Sequence, residues 1–163
     1  MPLVDAWVKS GAEEFGARLD IVGPDDGQEA HVRSLADREP SINLRGRIDS
    51  SEVVGQMKRY THLVVPSLTD TFPMVVLEAL SSGLQVICRD TVEMLSDHPS
   101  IAEVVHVFGT DLELQTALKE HAAGIARVRG KDEIAAVANS FSSKSAAKRI
   151  AAVYSTCLQA AGR

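Results

Sequence analysis

Short β-branched runs alternate with longer amphipathic stretches along most of this chain, and that alternation constrains the fold more than any other feature. The predicted strands lie near Leu19–Val22, Ile42–Arg45, Leu63–Val65, Gln85–Cys88 and Val104–Phe108. The predicted helices lie near Leu3–Phe15, Gln28–Arg38, Ser51–Tyr60, Met74–Ser82 and Leu112–Arg127. Strands separated by helices are typical of βαβ units, so the pattern predicts an α/β fold with a doubly wound, mostly parallel sheet in three layers.

Two of the strands are apolar without alternation, at residues 63–65 and 86–88. This pattern is typical of strands that helices cover on both faces. Residues 142–161 carry apolar side chains at helical spacing, which predicts a closing helix. The chain itself opens in a helical pattern near Leu3–Phe15, whereas doubly wound domains usually start with a strand that becomes central. We therefore expect one domain over residues 1–163 that lacks its first strand.

Composition excludes several classes of function. Against 17 Lys and Arg stand 22 Asp and Glu, a net charge of −5 that is unsuited to nucleic acid or an anionic membrane surface. Apolar runs fall far short of the ~20 residues of a membrane span, and no signal-peptide pattern is present. Cys88 and Cys157 form no paired motif, and the five histidines show no metal-binding spacing. We therefore expect a cytoplasmic protein without a metal site or a nucleic-acid partner.

In open α/β sheets, ligands bind in the loops that follow the strands. The loop at residues 23–27 lacks the glycine pattern of dinucleotide-binding proteins, and its two aspartates would repel a phosphate. Those aspartates also suggest a phospho-receiver domain. That class needs an aspartate after the third strand and a lysine after the fifth, where Pro66–Ser67 and Gly109–Thr110 stand. We therefore do not favour it.

The most informative segment runs from Pro66 to Gly83. A predicted strand ends at Pro66, a polar loop follows, and a helix is expected to start near Pro73, since proline suits a first helical turn. Gly83 fits the position after the last turn. The free N–H groups around Phe72–Val75 would then point outward at the positive end of the helix dipole. This arrangement predicts a site for a phosphate or diphosphate.

Two carboxylates flank this predicted anion site. Glu78 lies about five residues into the helix, roughly 7–8 Å along its axis, and helical side chains lean toward the helix start. Its carboxylate could therefore accept hydrogen bonds from the two hydroxyls of a ribose, and Asp70 could do the same for another hydroxylated group. Alternatively, Asp70 is a helix-terminal charge and Glu78 a solvated surface residue. The apolar residues 75–77, 79 and 80 around Glu78 favour the functional interpretation.

Motifs in this segment, and others upstream, follow the order found in one enzyme family. A strand ends in Pro66–Ser67, and Asp70 and Glu78 are separated by seven residues as in a Glu-x7-Glu motif. The further matching segments are Leu77–Leu80, Gly83–Val86, Leu19–Gly23, Ile42–Ile48 and, near the closing helix, Phe141–Ser142 with Tyr154. In these features the chain resembles the C-terminal, nucleotide-sugar-binding domain of the retaining glycosyltransferases of family 4, a Rossmann-like half of a GT-B architecture.

The resemblance implies roles for particular residues. Glu78 would hold the donor ribose and Asp70 would contact the transferred sugar, as the two catalytic residues. The backbone around residues 71–75 would hold the diphosphate, and the loop at residues 46–48 would line the base pocket. The implied donor-binding residues are Thr71, Phe72, Pro73, Met74, Val75, Gly46, Arg47 and Ile48.

The resemblance also implies a reaction: transfer of a sugar, with retention, from a UDP-sugar or GDP-sugar to a glycan or lipid-linked acceptor, without a metal. The chain departs from the family pattern at Asp70, where glutamate is usual, and at Gln85, where proline is usual. The family's Arg and Lys that contact the diphosphate, and its acceptor-binding N-terminal domain, would lie before Met1.

We therefore expect the nucleotide sugar as ligand and an acceptor-binding domain or subunit as partner, with the chain inactive by itself. That missing domain would also allow a peripheral position at the inner face of the membrane. The alternative is a degenerate nucleotide-binding module without transferase activity.

Overall fold

A computed structural model describes residues 2–23, 29–145, 147 and 151 of the chain. Its strands are β1 (Leu19–Val22), β2 (Ile42–Gly46), β3 (His62–Val65), β4 (Gln85–Arg89) and β5 (His106–Phe108). Its α-helices are α1 (Pro2–Ser10), α2 (Glu29–Ala36), α3 (Ser50–Met57), α4 (Met74–Ser81), α5 (Glu93–Asp97), α6 (Pro99–Val104), α7 (Asp111–Ala122) and α8 (Lys131–Ser140), and a short 3-10 helix spans Ala12–Phe15. Across the described ranges, every helix is too short or too polar for a membrane span.

The strands pair in parallel throughout, which confirms the predicted α/β class. They form two ladders: β1 pairs with β2, and β3, β4 and β5 pair in that order. Within the described part of the chain, no ladder joins β1 to β3. The sheet is therefore interrupted between these two strands, an interruption that strand patterns alone did not predict.

Two apolar cores lie on opposite faces of β4. Val86 and Cys88 belong to one core, with residues of α4, α5, α6 and α8, whereas Ile87 belongs to the other, with residues of α1 and α7. Successive side chains of a strand point to opposite faces, so β4 supplies both cores at once. The prediction that residues 86–88 are covered on both faces is thus confirmed, with each of them at most 1% exposed.

Other predicted boundaries differ in informative ways. The fifth strand begins at His106 instead of Val104, because α6 carries the chain through Val104 first. The helices α5, α6 and α8 were not predicted; the first two have only five and six residues. The loop at residues 24–27 and most of the predicted closing helix at 142–161 lie outside the described residues.

Gln85, which stands where the family pattern has proline, has a defined structural role. Its side-chain amide donates to the backbone carbonyl of Arg129 at 2.9 Å and accepts the Arg129 N–H at 3.0 Å. The chain that leads into α8 is thereby fixed to the start of β4. Proline at this position could make neither side-chain bond.

Three histidines form a hydrogen-bonded row at the amino ends of the strands. His62 Nε2 lies 2.9 Å from His121 Nδ1, and His121 Nε2 lies 3.2 Å from His106 Nδ1. Burial, followed by the nearby charges of His62 and His106 when protonated, lowers the pKa of His121 to about 4. Burial also lowers the pKa of His62. His121, which has a hydrogen-bond partner at each ring nitrogen, is therefore favoured as a neutral imidazole that donates one of these bonds and accepts the other.

This row should make the stability of the chain depend on pH. His121 stays neutral in the folded chain but protonates near its ordinary pKa of about 6.5 when unfolded, so the unfolded state binds more protons as the pH falls below that value. We expect the melting temperature to fall between about pH 7.5 and about pH 5, by roughly 2–4 °C, for a loss of about 1 kcal/mol after allowance for solvent screening. Thermal melts followed by circular dichroism at each pH measure this fall in melting temperature.

The variant His121→Asn should show a clearly smaller fall over the same pH range. His98→Asn, at a histidine outside the row, should show the full fall. An equal fall in His121→Asn and in the native chain would refute the assignment.

Candidate functional site

The loop between β3 and α4 lies at the carboxyl ends of the strands and is held there by the neighbouring loop after β4. Asp70 forms an isolated parallel bridge with Val92, and its carbonyl accepts the N–H of Glu93 at 3.1 Å. The Thr91 hydroxyl donates to the Ser67 carbonyl at 3.1 Å. Backbone contacts from a second loop thus fix the approach to α4.

The amino end of α4 lies where the sequence predicts an anion site. The helix begins at Met74, and Pro73 precedes it as the cap in an extended conformation, one position earlier than a first-turn proline. The first N–H groups of a helix have no acceptor within it. Phe72 and Met74 beside them are 37% and 57% exposed. At the other end, Gly83 follows the last turn with a left-handed φ of 79°, as expected for a terminating glycine.

Glu78 is half-buried on α4, between the buried residues Leu77 and Ala79. It lies four residues after Met74, roughly 6 Å along the helix axis. Within the described ranges, its carboxylate has no hydrogen-bond or ion-pair partner. A half-buried carboxylate without a partner retains its full capacity to accept hydrogen bonds from a ligand.

Asp70 is half-buried beyond the end of β3, near the end of β4. Burial, and then the negative charge of Asp70, raise the pKa of the Cys88 thiol to about 11. The Asp70 carboxylate therefore acts electrostatically on the carboxyl end of β4. Cys88 remains a neutral, buried thiol at neutral pH.

An aromatic stack joins this loop to more distant helices. The ring of Phe72 packs edge-on against His98 with 5.6 Å between centroids, and His98 packs in the same way against Phe141 at 5.0 Å. His98 separates α5 from α6, and Phe141 follows α8. The segment predicted to bind the diphosphate is thus linked through His98 to the end of α8.

The predicted base-pocket loop follows β2, on the other side of the interruption in the sheet. Gly46 has a left-handed φ of 68° and accepts the N–H of Gly23 at 3.0 Å. Arg47 is exposed, and Ile48 is half-buried. The side chain of Asp49 accepts the N–H of Ser51 and caps α3.

The structure brings the two predicted halves of the site to one cavity, but not into direct contact. Ile48 from the first half and Val75 from the second line the same cavity, together with Pro66. No hydrogen bond or ion pair within the described residues joins residues 46–48 to Asp70 or Glu78. The two halves therefore approach each other across open space.

Sequence patterns did not predict the burial of Arg89 at this edge of the sheet. Arg89 is 6% exposed, donates to Asp111 at 3.0 Å and to the Gly109 carbonyl at 3.2 Å, and lies over the Phe108 ring at 4.9 Å. Its Nε has no partner among the described residues. Asp111 compensates its charge, so Arg89 joins the loops after β4 and β5. From sequence alone, an arginine at the end of a strand that pairs with a neighbouring loop looks the same as one that contacts a ligand.

The described ranges contain no cluster of three or more His, Cys, Asp or Glu side chains arranged to hold a metal ion.

Comparisons with known proteins bear on this geometry. A family model described as "Glycosyl transferases group 1" matches residues 2–105. Among solved structures, the chain is similar to that of AviGT4, a glycosyltransferase involved in avilamycin A biosynthesis, with 21% sequence identity and a TM-score of 0.55. The match covers 82% of this chain and 41% of the AviGT4 chain. At that identity the likeness shows the fold, a Rossmann-like half of a GT-B architecture. No curated protein matches the chain.

Proposed function

The chain belongs to the glycosyl transferases of group 1, and we propose that it is the domain that binds the nucleoside-diphosphate-sugar donor in such an enzyme. One observation carries the proposal: exposed backbone N–H groups and the half-buried carboxylate of Glu78 lie on the same helix, α4. The N–H groups can bind an anion, and the carboxylate can accept hydrogen bonds from neutral hydroxyls. A nucleoside diphosphate presents both kinds of group.

The diphosphate binds at the amino end of α4. The N–H groups of Met74 and Val75, and those of Thr71 and Phe72 in the loop before Pro73, supply donors, and the helix dipole supplies a partial positive charge. The backbone contacts of Asp70 with the loop after β4 keep this segment in place before the ligand arrives. A preorganised loop lowers the entropic cost of binding.

Glu78 binds the ribose. Its position one turn into α4 places the carboxylate beside the anion site, and its two oxygens match the two adjacent hydroxyls of a ribose. Water satisfies a half-buried carboxylate less fully than an exposed one, so the hydroxyls replace few existing hydrogen bonds. The site thereby favours a ribonucleotide over a deoxyribonucleotide.

Asp70 contacts the sugar that is transferred. It precedes the anion site in the chain and lies near the carboxyl end of β4. Its carboxylate is one methylene shorter than the glutamate usual in the family, so it contacts a sugar hydroxyl only where the loop brings the backbone close. The bridge between Asp70 and Val92 provides that approach.

The base of the nucleotide, uracil or guanine, lies against the loop after β2. Gly46 and Arg47 expose backbone and a cationic side chain there, and Ile48 offers an apolar surface. Ile48 and Val75 line one cavity, so a nucleotide whose diphosphate lies at α4 can reach this loop. The site is therefore divided between two parts of the sheet.

The reaction that we propose is sugar transfer with retention, as in family 4. The bond between the anomeric carbon and the diphosphate oxygen breaks, a bond to an acceptor hydroxyl oxygen forms, and the hydroxyl proton and the nucleoside diphosphate depart. The acceptor, a glycan or a lipid-linked sugar, is held by an acceptor-binding domain or subunit beyond this chain. Asp70 and Glu78 position the donor, and no metal takes part.

The cytoplasm is the compartment that we propose for this protein, in keeping with the free thiol of Cys88.

A second candidate is a binding module that holds the nucleotide without catalysing transfer. The observation that favours it is that Arg89, a buried cation at this edge of the sheet, is already paired with Asp111 at 3.0 Å. Charge-assisted bonds contribute roughly 1.5–3 kcal/mol each. In the family, an Arg and a Lys make such bonds to the diphosphate. Without those two bonds, affinity for the donor should lie in the high micromolar to millimolar range.

Glu78→Gln should weaken nucleotide binding and remove the preference for ribose. The amide keeps the size and helix propensity of glutamate but replaces two charged acceptors with one neutral acceptor and two donors. We expect the dissociation constant for UDP or GDP to rise about tenfold or more, while 2′,3′-dideoxy analogues bind the variant and the native chain alike. NMR titration at millimolar nucleotide measures both, through shifts of residues 70–78.

Glu103→Gln, at an exposed glutamate of α6, is the matched control and should leave affinity unchanged. Unaltered binding to Glu78→Gln would exclude the ribose role. A melting temperature lowered by several degrees would instead show that Glu78 supports the fold.

This chain by itself should transfer no sugar. Transfer requires donor and acceptor within a few ångströms of each other in a site that excludes water. Asp70 and Glu78 both serve the donor and leave the acceptor hydroxyl without a binding group. We expect only slow hydrolysis of labelled UDP-sugars and GDP-sugars mixed with simple glycan acceptors, whereas an intact two-domain transferase in a parallel assay should release nucleoside diphosphate quickly. Acceptor-dependent release by the 163-residue chain would contradict the prediction.

A further inference from the structure

The guanidinium of Arg45 is held by the protein on one side and open to a ligand on the other. Its Nε donates to a carboxylate oxygen of Asp20 at 2.9 Å, and the hydroxyl of Tyr60, which also donates to Asp20, interacts favourably with the same guanidinium. The Arg45 side chain is nevertheless 54% exposed and lines the cavity that the two halves of the site share. Its terminal nitrogens, Nη1 and Nη2, can therefore donate hydrogen bonds to a ligand.

Asp20 gives this guanidinium a fixed orientation. The Asp20 side chain is only 10% exposed, and it accepts hydrogen bonds from the Asn43 amide and from Arg45 at 2.9 Å each and from the Tyr60 hydroxyl at 2.7 Å. Burial raises the pKa of Asp20, but these three hydrogen bonds lower it by more, so the carboxylate stays ionised at neutral pH. Because two other donors fix the carboxylate, Arg45 is oriented before any ligand binds.

The position of Arg45 on β2 places it at the base end of the proposed donor site. Arg45 immediately precedes residues 46–48, the loop against which the base lies. Asn43 and Arg45 alternate along β2, so both side chains leave the face opposite to Leu44, which packs against the core that includes α1 and α7. The amino end of α4, where the diphosphate binds, lies across the interruption in the sheet. Arg45 is therefore closer to the base than to the diphosphate.

Nucleotide bases differ in what they offer to such an arginine. With Nε bonded to Asp20, Arg45 presents a planar fork of N–H groups from Nη1 and Nη2, which needs two neighbouring acceptors. Guanine has two neighbouring acceptors, O6 and N7, and arginine commonly binds both. Adenine has a donor beside its N7. In uracil, an N–H group separates the two carbonyl oxygens. Of the two bases proposed for the donor, guanine is thus the better match.

We propose that Arg45 contacts the base of the donor and selects guanine, through paired hydrogen bonds from Nη1 and Nη2 to O6 and N7, with Asp20 as its positioning residue. The donor is then a GDP-sugar and not a UDP-sugar. This inference rests on the proposed donor site and names the base that the site prefers. The 2-amino group of guanine takes no part in the contact, so hypoxanthine, which keeps O6 and N7, should be accepted equally well.

Other roles for these side chains fit less well. A purely structural role for Arg45 is not needed to satisfy Asp20, which already has hydrogen bonds from Asn43 and Tyr60. Arg47, the other arginine beside the base, is exposed and has no hydrogen-bond or ion-pair partner within the described ranges. Nothing there orients Arg47 in advance, whereas Arg45 is already oriented.

Binding of matched nucleotides to the full chain tests the proposal without any mutation. NMR titration measures the dissociation constants of GDP, inosine diphosphate, UDP and 7-deaza-GDP, in which a carbon replaces N7. All four share the ribose and the diphosphate, so differences among them arise at the base. We expect GDP and inosine diphosphate to bind alike, and about tenfold more tightly than UDP and 7-deaza-GDP, since one paired contact is lost in the latter two.

Variants test the assignment to these residues. Arg45→Lys keeps the charge but removes the fork, so GDP should bind about tenfold more weakly, while the affinity for 7-deaza-GDP should not change. Asp20→Asn should lower the preference for GDP over 7-deaza-GDP in the same way, a change in selectivity that a general loss of stability would not produce. Arg38→Lys, at an exposed arginine ahead of β2, is the matched control and should keep the native preference.

Failure of the donor site and failure of base selection give different results. If the native chain binds none of the four nucleotides at millimolar concentration, the proposed donor site is refuted and the selection of guanine with it. Equal binding of GDP and 7-deaza-GDP, or tighter binding of UDP than of GDP, would overturn the guanine assignment and leave the donor site standing. Equal weakening of all four nucleotides by Arg45→Lys would show that Arg45 contacts the diphosphate instead.

Discussion

The burial of β4 on both faces is the constraint on which the rest of the structure depends. Because Val86 and Cys88 enter one core and Ile87 enters the other, this strand has no face that tolerates a polar residue. Its two ends are correspondingly polar: Gln85 fixes the chain that leads into α8, and Arg89 joins the loops after β4 and β5. Because the middle of β4 is buried on both faces, polar residues that could bind a ligand can stand only at its ends. The carboxyl ends of parallel strands lie along one edge of the sheet, which is where ligands bind.

The candidate site follows from that geometry. The amino end of α4 is presented to solvent because Asp70 and its loop are bonded to the backbone after β4, which is itself immobilised by two cores. An anion there would contact neutral donors and a dipole instead of formal charges, since Arg89 is committed to Asp111. Such a site discriminates by shape and hydrogen-bond geometry more than by Coulombic attraction, and its affinity should be less sensitive to salt than that of an arginine-lined pocket.

Local signals predicted much of this fold. Strands β1 to β4 were predicted to within one residue at each end, because short apolar runs bounded by polar loops are visible in any window. The helices α5 and α6 were missed because helices of five or six residues have little stability of their own and exist only through packing. The turn after α4 was predicted from Gly83 alone, since the requirement for positive φ is local.

The burial of Arg89 and the row of histidines depend on contacts between residues far apart in sequence. No local sequence pattern therefore predicted either feature. For the site itself, the loop positions followed from the parallel sheet, whereas the separation of the two halves by a cavity did not.

The aromatic stack of Phe72, His98 and Phe141 has a consequence for motion. Loops that close over a ligand usually move as independent flaps hinged at their ends, but this loop shares a ring contact with His98 and, through it, with the end of α8. Phe72 cannot swing outward without leaving an unfilled space beside His98, and the packing of Phe141 must then adjust. Ligand-induced rearrangement at α4 should therefore reach the distal helix on the same timescale, so that a reporter placed after residue 141 would register events that occur some seventy residues earlier in the chain.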